Sequence, residues 1–372
     1  MNPSAQDLDF MRRALSLAAR GAGRVNPNPL VGAVLVRDGR IIGEGYHAYF
    51  GGPHAERDAL AHCTEDPAGA TLYVTLEPCC HYGKTPPCTD AILDHRIARV
   101  VVGSPDPNPL VAGGGVRILR EHGVSVTEGV LRAACDRLNA PFLHYIQHKT
   151  PFVMMKYAMT MDGKIATHTG ASRWITGEAA RGQVHRDRNR FAAVLVGVGT
   201  VLADDPLLTC RMPGGRDPIR IVCDSRLSTP LSARLVRTAG NPRTIIATCC
   251  TDPVLCQPYL DAGCELLSVP ATEQGQVDLP ALMQALGARG VDSIILEGGG
   301  TLNWSALQAG IVQRVQAYIA PKLFGGAQAK SPVQGRGVFY PDGAFRLTSP
   351  RITHLGDDLL LESEVLPCSP EL

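Results

Sequence analysis

The stretch from His54 to Cys88 constrains the fold of this chain most strongly, because it holds three side chains that could bind one metal ion. His54 supplies an imidazole, and Cys79 and Cys88 supply thiolates. This nitrogen-and-sulfur set suits zinc better than magnesium or calcium. Three protein ligands leave one position of a tetrahedral zinc ion open to water, which is typical of a catalytic site. The fold must therefore bring a histidine and two distant cysteines together.

Glu56 stands two residues after His54, near enough to reach a water molecule at the open position without binding the metal. A His-x-Glu motif followed by Pro-Cys and a second cysteine is typical of zinc-dependent nucleobase deaminases, in which the glutamate moves protons. The usual spacing there is Cys-x-x-Cys, whereas eight residues separate Cys79 from Cys88 in this chain. The pattern predicts a catalytic role for Glu56.

Two other interpretations of these residues remain open. His81 could be the fourth ligand of a structural zinc ion, or the grouping could be a coincidence. Cysteines are often buried as small apolar residues, and we expect this role for Cys80, Cys63 and Cys135. The strand predicted at 71–75 favours the catalytic interpretation, because α/β proteins carry their sites just past the ends of strands.

Composition excludes several classes of function. The chain has 372 residues, about the length of two domains, and 45% of them are hydrophobic. Its 36 Lys and Arg residues balance 35 Asp and Glu residues, whereas a nucleic-acid-binding protein normally has a basic excess. Apolar runs are too short to span a membrane, and the N-terminus lacks the form of a signal peptide. The 12 cysteines then indicate free or metal-bound thiols in a reducing cytoplasm.

The first half of the chain alternates strands with helices. Asp38-Gly39 is a strong hairpin signal, and apolar residues three and four apart mark an amphipathic first helix. We predict strands at 31–36, 40–45, 98–103 and 124–127, and helices at 7–18, 54–62, 91–96, 116–122 and 131–146. This alternation predicts a three-layer α/β sandwich. It also places Cys88 near a helix N-terminus, where the helix dipole favours a thiolate.

A domain boundary is predicted where a short polar segment separates the last of these helices from a new apolar strand. The segment ends at Pro151, and the strand begins at Phe152. We therefore expect one domain at 1–148 and a second at 149–372.

The second half contains a glycine-rich turn that suits a phosphate-bearing ligand. A buried strand that starts near Ser293 runs into Gly298-Gly299-Gly300 and then a predicted helix, so that backbone amides and the helix dipole form an anion site. The turn is not a P-loop, because no Gly-Lys-Ser/Thr follows it, and Gly197 and Gly199 at the end of another strand do not complete a Rossmann fingerprint. Ser225 and Arg226 end another strand and could bind the extra phosphate of NADP, or Arg226 could be an ordinary surface charge.

Nine motifs distributed along the chain together carry a family resemblance. They are Asn28-Pro29-x-Val31-Gly32, His54-Ala55-Glu56, Glu77-Pro78-Cys79, Thr85-Pro86-Pro87-Cys88, Asp106-Pro107-Asn108-Pro109, Asp162-Gly163-Lys164, Trp174-Ile175-Thr176, Thr200-x-x-x-Asp204-Asp205-Pro206 and Glu297-Gly298-Gly299. With them the chain resembles, over nearly its whole length, the bifunctional riboflavin-biosynthesis deaminase–reductases of bacteria. That family also shows the long Cys–Cys spacing.

The resemblance implies a cytidine-deaminase-like three-layer α/β/α domain followed by a dihydrofolate-reductase-like mixed-sheet α/β domain. The first would use zinc to hydrolyse the ring amine of 2,5-diamino-6-ribosylamino-4(3H)-pyrimidinone 5′-phosphate, with Glu56 moving protons from water to the ring nitrogen and the departing ammonia. The second would use NADPH to reduce the ribose of 5-amino-6-(5-phosphoribosylamino)uracil to a ribityl chain. Family precedent also favours a homo-oligomer.

The resemblance implies roles for individual residues as well. In the deaminase site, Glu56 would be catalytic, His54, Cys79 and Cys88 would bind zinc, and Asn28, His47, His81, Lys84, Asp106 and Asn108 would contact the substrate. In the reductase site, Ser172, Arg188, Leu208, Arg211 and Glu297 would hold the substrate. NADPH would contact Ala158, Trp174, Thr200, Asp204, Ser225, Gly299, Gly300, Thr301, Leu302, Asn303, Trp304 and Ser305. Guanidinium groups bind phosphate in a bidentate manner, which suits Arg188 and Arg211 to the 5′-phosphate.

Two rival hypotheses assign the chain a different function. In one, only the deaminase is active and the second half is a scaffold, although the glycine turn, Asp204 and Arg188 speak against it. In the other, the first domain edits RNA or DNA, which the near-neutral charge disfavours.

Overall fold

The computed structural model describes residues 3–82 and 86–367, so Lys84 lies outside the described residues. The chain divides into two compact units that meet between Lys149 and Thr150, one residue after the predicted boundary. Within the described ranges, none of the helices is both long and apolar enough to cross a membrane.

The first unit contains five strands and six α-helices within its described residues. The strands are β1 (Gly32–Arg37), β2 (Arg40–Tyr46), β3 (Thr71–Leu76), β4 (Arg99–Ser104) and β5 (Ser125–Thr127). The helices are α1 (Ala5–Ala18), α2 (Ala55–Ala61), α3 (Cys88–Asp94), α4 (Gly114–Glu121), α5 (Arg132–Leu138) and α6 (Ala140–His148). The strand order is β2-β1-β3-β4-β5, with the hairpin antiparallel and β3, β4 and β5 parallel.

Both faces of this five-stranded sheet are covered by helices. Ala33 and Leu35 of β1 belong to an apolar cluster with residues of α2, α3 and α4. Val34 and Val36 point the other way and pack with residues of α1 and α5. Because neighbouring residues of a strand face opposite sides, this alternation defines three layers. The predicted three-layer arrangement is confirmed.

The prediction of one helix at 131–146 is wrong, because two helices meet at Asn139. Pro141 lies in the first turn of α6, and proline lacks the N–H that an unbroken helix would need there. The side chain of Asn139 bonds instead to the backbone of Leu30, accepting its N–H at 2.8 Å and donating to its carbonyl at 2.9 Å.

The second unit is built on a nine-stranded mixed sheet. The strands are β6 (Phe152–Thr160), β7 (Ala193–Gly197), β8 (Ile219–Cys223), β9 (Thr244–Thr248), β10 (Glu265–Ser268), β11 (Ser293–Leu296), β12 (Arg314–Ala320), β13 (Arg351–Leu355) and β14 (Asp358–Glu364). The helices are α7 (Glu178–Arg190), α8 (Val198–Asp204), α9 (Arg234–Arg237), α10 (Pro253–Asp261), α11 (Leu279–Ala288) and α12 (Gly300–Gln308). The order is β10-β9-β8-β7-β11-β6-β12-β14-β13, and only the pairs involving β14 are antiparallel.

The parallel strands β6, β7 and β11 bring polar residues to one edge of this sheet. Leu296 of β11 pairs with Met155 of β6, so the residues that follow, Glu297 and Lys156, come to lie side by side. The Glu297 N–H donates to the carbonyl of Leu195 in β7 at 2.9 Å. Ligands of open α/β sheets bind beyond the carboxyl ends of such strands.

A buried ion pair ties α1 to the sheet of the first unit. The Asp7 carboxylate accepts hydrogen bonds from the Arg99 guanidinium at 2.9 and 3.1 Å and from the Tyr73 hydroxyl at 2.9 Å. The backbone N–H of Ser4 donates to it at 2.9 Å. Burial would raise the pKa of Asp7, but the bonds from Arg99, Ser4 and Tyr73 together hold it well below the usual carboxyl range.

We expect Asp7→Asn to destabilise the first unit by roughly 2 kcal/mol, because it removes a hydrogen-bonded charge and leaves Arg99 and Tyr73 without that partner. Folding lowers the pKa of Asp7, so its contribution is complete at neutral pH and is lost as the pH falls below about 4. Urea unfolding followed by far-UV circular dichroism measures the effect.

Asp9→Asn is the matched control, since Asp9 lies on the same helix but forms an exposed pair with Arg12. Trp174 and Trp304 both lie in the second unit, so the unfolding midpoint measured by tryptophan fluorescence should be the same in both variants. Equal midpoints for the Asp7 and Asp9 variants would contradict the assigned role of Asp7.

Candidate active sites

His54, Cys79 and Cys88 come together in the first unit as the sequence predicts. Their ligand atoms all lie within 4.8 Å of one another, and they are the only such group of metal-binding side chains among the described residues. His54 Nδ1 lies 3.4 Å from each of the two sulfur atoms. One nitrogen and two sulfur atoms at this separation fit a zinc ion.

Each of the three residues is positioned by the end of a secondary-structure element. His54 is the N-cap residue of α2, Cys79 follows β3 by three residues, and Cys88 opens α3. The N–H groups of Cys88 and Thr89 both donate to the Cys79 carbonyl, which fixes the two cysteine-bearing segments to each other. The prediction that Cys88 lies at a helix N-terminus is confirmed.

The pKa values of the two thiols are shifted in opposite directions. A hydrogen bond from the Cys88 thiol lowers the pKa of Cys79 to about 4, helped by His54 and opposed by burial. The same bond and burial raise the pKa of Cys88. Cys79 therefore ionises more readily than Cys88, and the thiolate is the form of either residue that binds a metal.

The Glu56 carboxyl lies beside the two sulfur atoms in a buried position. Burial, followed by the charge of Cys79, raises its pKa to about 7, and it lies within hydrogen-bonding reach of Cys88. A buried carboxyl in this position can exchange protons with a ligand at the site.

His47 lies beside His54, and Asn28 bonds to His47. The Asn28 amide donates to His47 Nε2 at 3.1 Å, and His47 Nδ1 lies 2.9 Å from the Pro53 carbonyl. Because a carbonyl only accepts, His47 carries its proton on Nδ1. The rings of His47 and His54 are 5.8 Å apart, edge to face. Burial lowers the pKa of His47, which keeps this ring neutral.

His81, Asp106 and Asn108 belong to the loops near Cys79. The Nδ1 atom of His81 is buried and has no hydrogen-bond partner among the described residues, so it is available to a ligand. Burial raises the pKa of Asp106 to about 6, and its carboxylate accepts the N–H of Asn108 at 2.9 Å.

The second unit contains a large cavity of about 600 Å³ beside the glycine turn. Gly299 is the N-cap residue of α12, so the first amides of this helix face a cavity wide enough for a dinucleotide. The predicted cofactor residues on its wall are Thr200, Asp204, Ser225, Gly299, Gly300, Thr301, Leu302 and Ser305. Arg226 also lines it.

A smaller cavity of about 260 Å³ collects most of the predicted substrate residues. Ser172, Arg188, Arg211 and Glu297 line it, together with Ala158 and Trp174, which the sequence assigned to the cofactor. Ser172 and Asp204 line both cavities, and the Ser172 hydroxyl donates to the Asp204 carboxylate at 3.0 Å.

Buried charges of opposite sign meet at the smaller cavity. Arg188 donates to both oxygens of Glu297, at 2.8 and 2.9 Å, and to the Thr209 carbonyl at 3.0 Å. Burial alone would raise the pKa of Glu297, but the charges of Arg188 and Lys156 lower it to about 2. Burial lowers the pKa of Lys156. The cavity thus presents a carboxylate flanked by two cationic groups.

Leu208, Asn303 and Trp304 do not line either cavity. Asn303 is fully buried and donates to the Pro332 carbonyl, and Trp304 packs edge to face on Phe345. The sequence missed Lys156, His185 and Tyr318, which line the smaller cavity. A lysine that ends an apolar run is the signal that could have found Lys156.

Family models match both halves of the chain. Residues 4–104 match the "Cytidine and deoxycytidylate deaminase zinc-binding region", and residues 151–361 match the "RibD C-terminal domain". The riboflavin biosynthesis protein RibD of Actinobacillus pleuropneumoniae is 54% identical over 97% of this chain and 96% of that protein. The RibD of Escherichia coli strain K12 is 40% identical over 96% and 98%.

Solved structures match over nearly the whole chain as well. A deaminase/reductase from Thermotoga maritima, named for diaminohydroxyphosphoribosylaminopyrimidine and 5-amino-6-(5-phosphoribosylamino)uracil, superposes with a TM-score of 0.84 at 41% identity, covering 97% of this chain and 99% of that one. Acinetobacter baumannii RibD gives 0.84 at 35% identity with the same coverage. The chain belongs to the RibD family of bifunctional riboflavin-biosynthesis enzymes, with a zinc-binding deaminase domain followed by a reductase domain.

Proposed function

We propose that the first domain, at 1–148, deaminates 2,5-diamino-6-ribosylamino-4(3H)-pyrimidinone 5′-phosphate, and that the second, at 149–372, reduces the product with NADPH. The observation that carries the proposal is that the ligand atoms of His54, Cys79 and Cys88 lie close together beside the buried carboxyl of Glu56. The large cavity beside the glycine turn of the second unit supports the reductase half of the proposal. The substrate names printed for the Thermotoga maritima relative support the same two reactions.

In the deaminase site, His54 Nδ1 and the sulfur atoms of Cys79 and Cys88 hold the zinc ion. Zinc, when bound, lowers the pKa of a coordinated water toward neutrality. Glu56 takes one proton from the attacking water and gives it to the ring nitrogen, and it then passes the second proton to the amine, which leaves as ammonia. The unpartnered His81 Nδ1 supports a substrate contact there, as do the positions of Asn28, His47, Asp106 and Asn108. A substrate contact of Lys84, which lies outside the described residues, stays a prediction.

In the reductase site, the large cavity holds NADPH and the smaller one holds the phosphorylated ribose. NADPH, when bound, supplies the hydride. The amides at the start of α12 suit its pyrophosphate, and Ser225 with Arg226 suits its 2′-phosphate. Arg188 is already engaged with Glu297, so Arg211, which is exposed at the cavity wall, is the freer partner for the substrate phosphate.

The cytoplasmic location and the homo-oligomeric state stay predictions. The first rests on the cysteine usage and the second on family precedent.

A product-mass assay on the ribosylated diaminopyrimidine phosphate tests both activities. Without a nicotinamide cofactor we expect exchange of one amine for oxygen, and with NADPH we expect the addition of two hydrogens. NADH in place of NADPH tests the choice of cofactor. Deamination without reduction would leave the second half as a scaffold, and no mass change in any arm would refute the proposed substrate.

We expect Glu56→Gln to lower the rate of deamination by a factor of about 10² to 10⁴, because the amide cannot carry the transferred proton. Zinc should stay bound, since the variant leaves the ligands His54, Cys79 and Cys88 in place. Steady-state kinetics and metal analysis on the same sample measure both. Reduction of the deaminated substrate is the internal control, and a zinc-loaded variant with normal deamination would refute the role of Glu56.

Cys79→Ser and Cys80→Ser form a matched pair of adjacent substitutions. We expect the first to lose zinc, because its thiolate lies 3.4 Å from His54 Nδ1. The second should keep zinc, because the Cys80 sulfur faces the Leu110 carbonyl instead. Metal content measured after dialysis decides the question, and the reverse result would reassign the ligand.

A further inference from the structure

Glu77 is a buried carboxylate whose partners all come from one distant segment of the first unit. Only 4% of the residue is exposed. One oxygen accepts the N–H of Gly113 at 3.1 Å and that of Asp106 at 3.4 Å, and the other accepts the N–H of Val116 at 3.1 Å. Glu77 therefore binds both ends of the loop that leads from β4 to α4.

The same carboxylate replaces a missing helix cap. Gly113 is the N-cap residue of α4 and has no side chain that could accept the first N–H groups of the helix. Glu77 accepts two of the N–H groups at this end, those of Gly113 and Val116. A negative charge at a helix N-terminus is also favoured by the helix dipole.

Glu77 is equally tied to the metal-binding segment. It directly follows β3 and stands two residues before Cys79, and its own N–H donates to the Ser104 carbonyl at 2.9 Å. A Cβ atom at Gly115 would lie 2.1 Å from the Pro78 carbonyl oxygen, so α4 begins in direct contact with this segment. The carboxylate and this contact hold the two segments together.

The loop held by Glu77 carries two of the proposed substrate residues. The Asp106 carboxylate accepts the N–H of Asn108, and the Asn108 side chain accepts the N–H of Leu110 at 3.2 Å. Each bond stiffens the loop locally. Glu77 connects both ends of the loop to the segment that carries Cys79, and the Cys80 thiol adds a longer contact of 3.7 Å to the Leu110 carbonyl in the middle of the loop.

We propose that Glu77 is a positioning residue of the deaminase site, which fixes the substrate loop at Asp106 and Asn108 relative to the zinc ligand Cys79. The inference rests on the proposed function of this site. Glutamine cannot take the place of Glu77, because it offers one oxygen, and its NH₂ group would face a backbone N–H that needs an acceptor.

The test compares Glu77→Gln with Glu121→Gln in the full chain. Glu121 undergoes the same chemical change on α4, but it is exposed and pairs with Arg117. We expect the amides of Gly113 and Val116 to exchange hydrogen about tenfold faster in the Glu77 variant only, since each loses a bond to a charged acceptor. We also expect its deaminase KM to rise about tenfold, with the zinc content and the reductase rate unchanged.

Unchanged exchange at Gly113 and Val116 would overturn the anchoring role. Faster exchange with an unchanged KM would overturn the positioning of the substrate loop, and loss of zinc in proportion to activity would assign Glu77 to the metal site instead. An inactive parent enzyme would refute the proposed function, while the exchange comparison would still decide whether Glu77 anchors the loop. If the Gln variant does not fold, Glu77→Asp takes its place in both measurements.

Discussion

The approach of one imidazole to two thiols is the constraint on which the first unit depends. Three segments that are far apart along the chain must place their ligand atoms within a few ångströms, and a shift of any one would leave a zinc ion short of a ligand. The fold meets this demand by placing each ligand at the end of an element: a helix cap, a strand end and a helix start. The sheet between the helical layers keeps these ends fixed.

In the second unit, the main constraint is the burial of a charged side chain. Glu297 at the end of β11 is removed from water, and it stays ionised because strand register and the last turn of α7 bring Lys156 and Arg188 to it. Burying an unpaired carboxylate would cost far more than this paired arrangement. The same cations leave the smaller cavity suited to a negatively charged ligand.

Local patterns in the sequence predicted those parts of the molecule that local chemistry decides. The hairpin predicted at Asp38-Gly39 forms between β1 and β2, and Cys88 lies at a helix N-terminus as predicted. The break at Asn139 was missed because apolar spacing outweighed the signal of Pro141. The hydrogen bonds of Glu77 could not be predicted from the sequence for another reason. Its partners lie 29 to 39 positions away along the chain, and no local sequence pattern indicates contacts at that separation.

The hydrogen bond between Ser172 and Asp204 has a thermodynamic consequence, because it forms part of the wall between the two cavities. A ligand in one cavity that reorients Ser172 or Asp204 also changes the wall of the other cavity, and so changes the affinity of that cavity for its own ligand. Such coupling is reciprocal: whatever factor one ligand applies to the affinity of the second, the second applies to the first. Ligands in the two cavities would therefore be coupled to the extent that either one moves the Ser172–Asp204 pair.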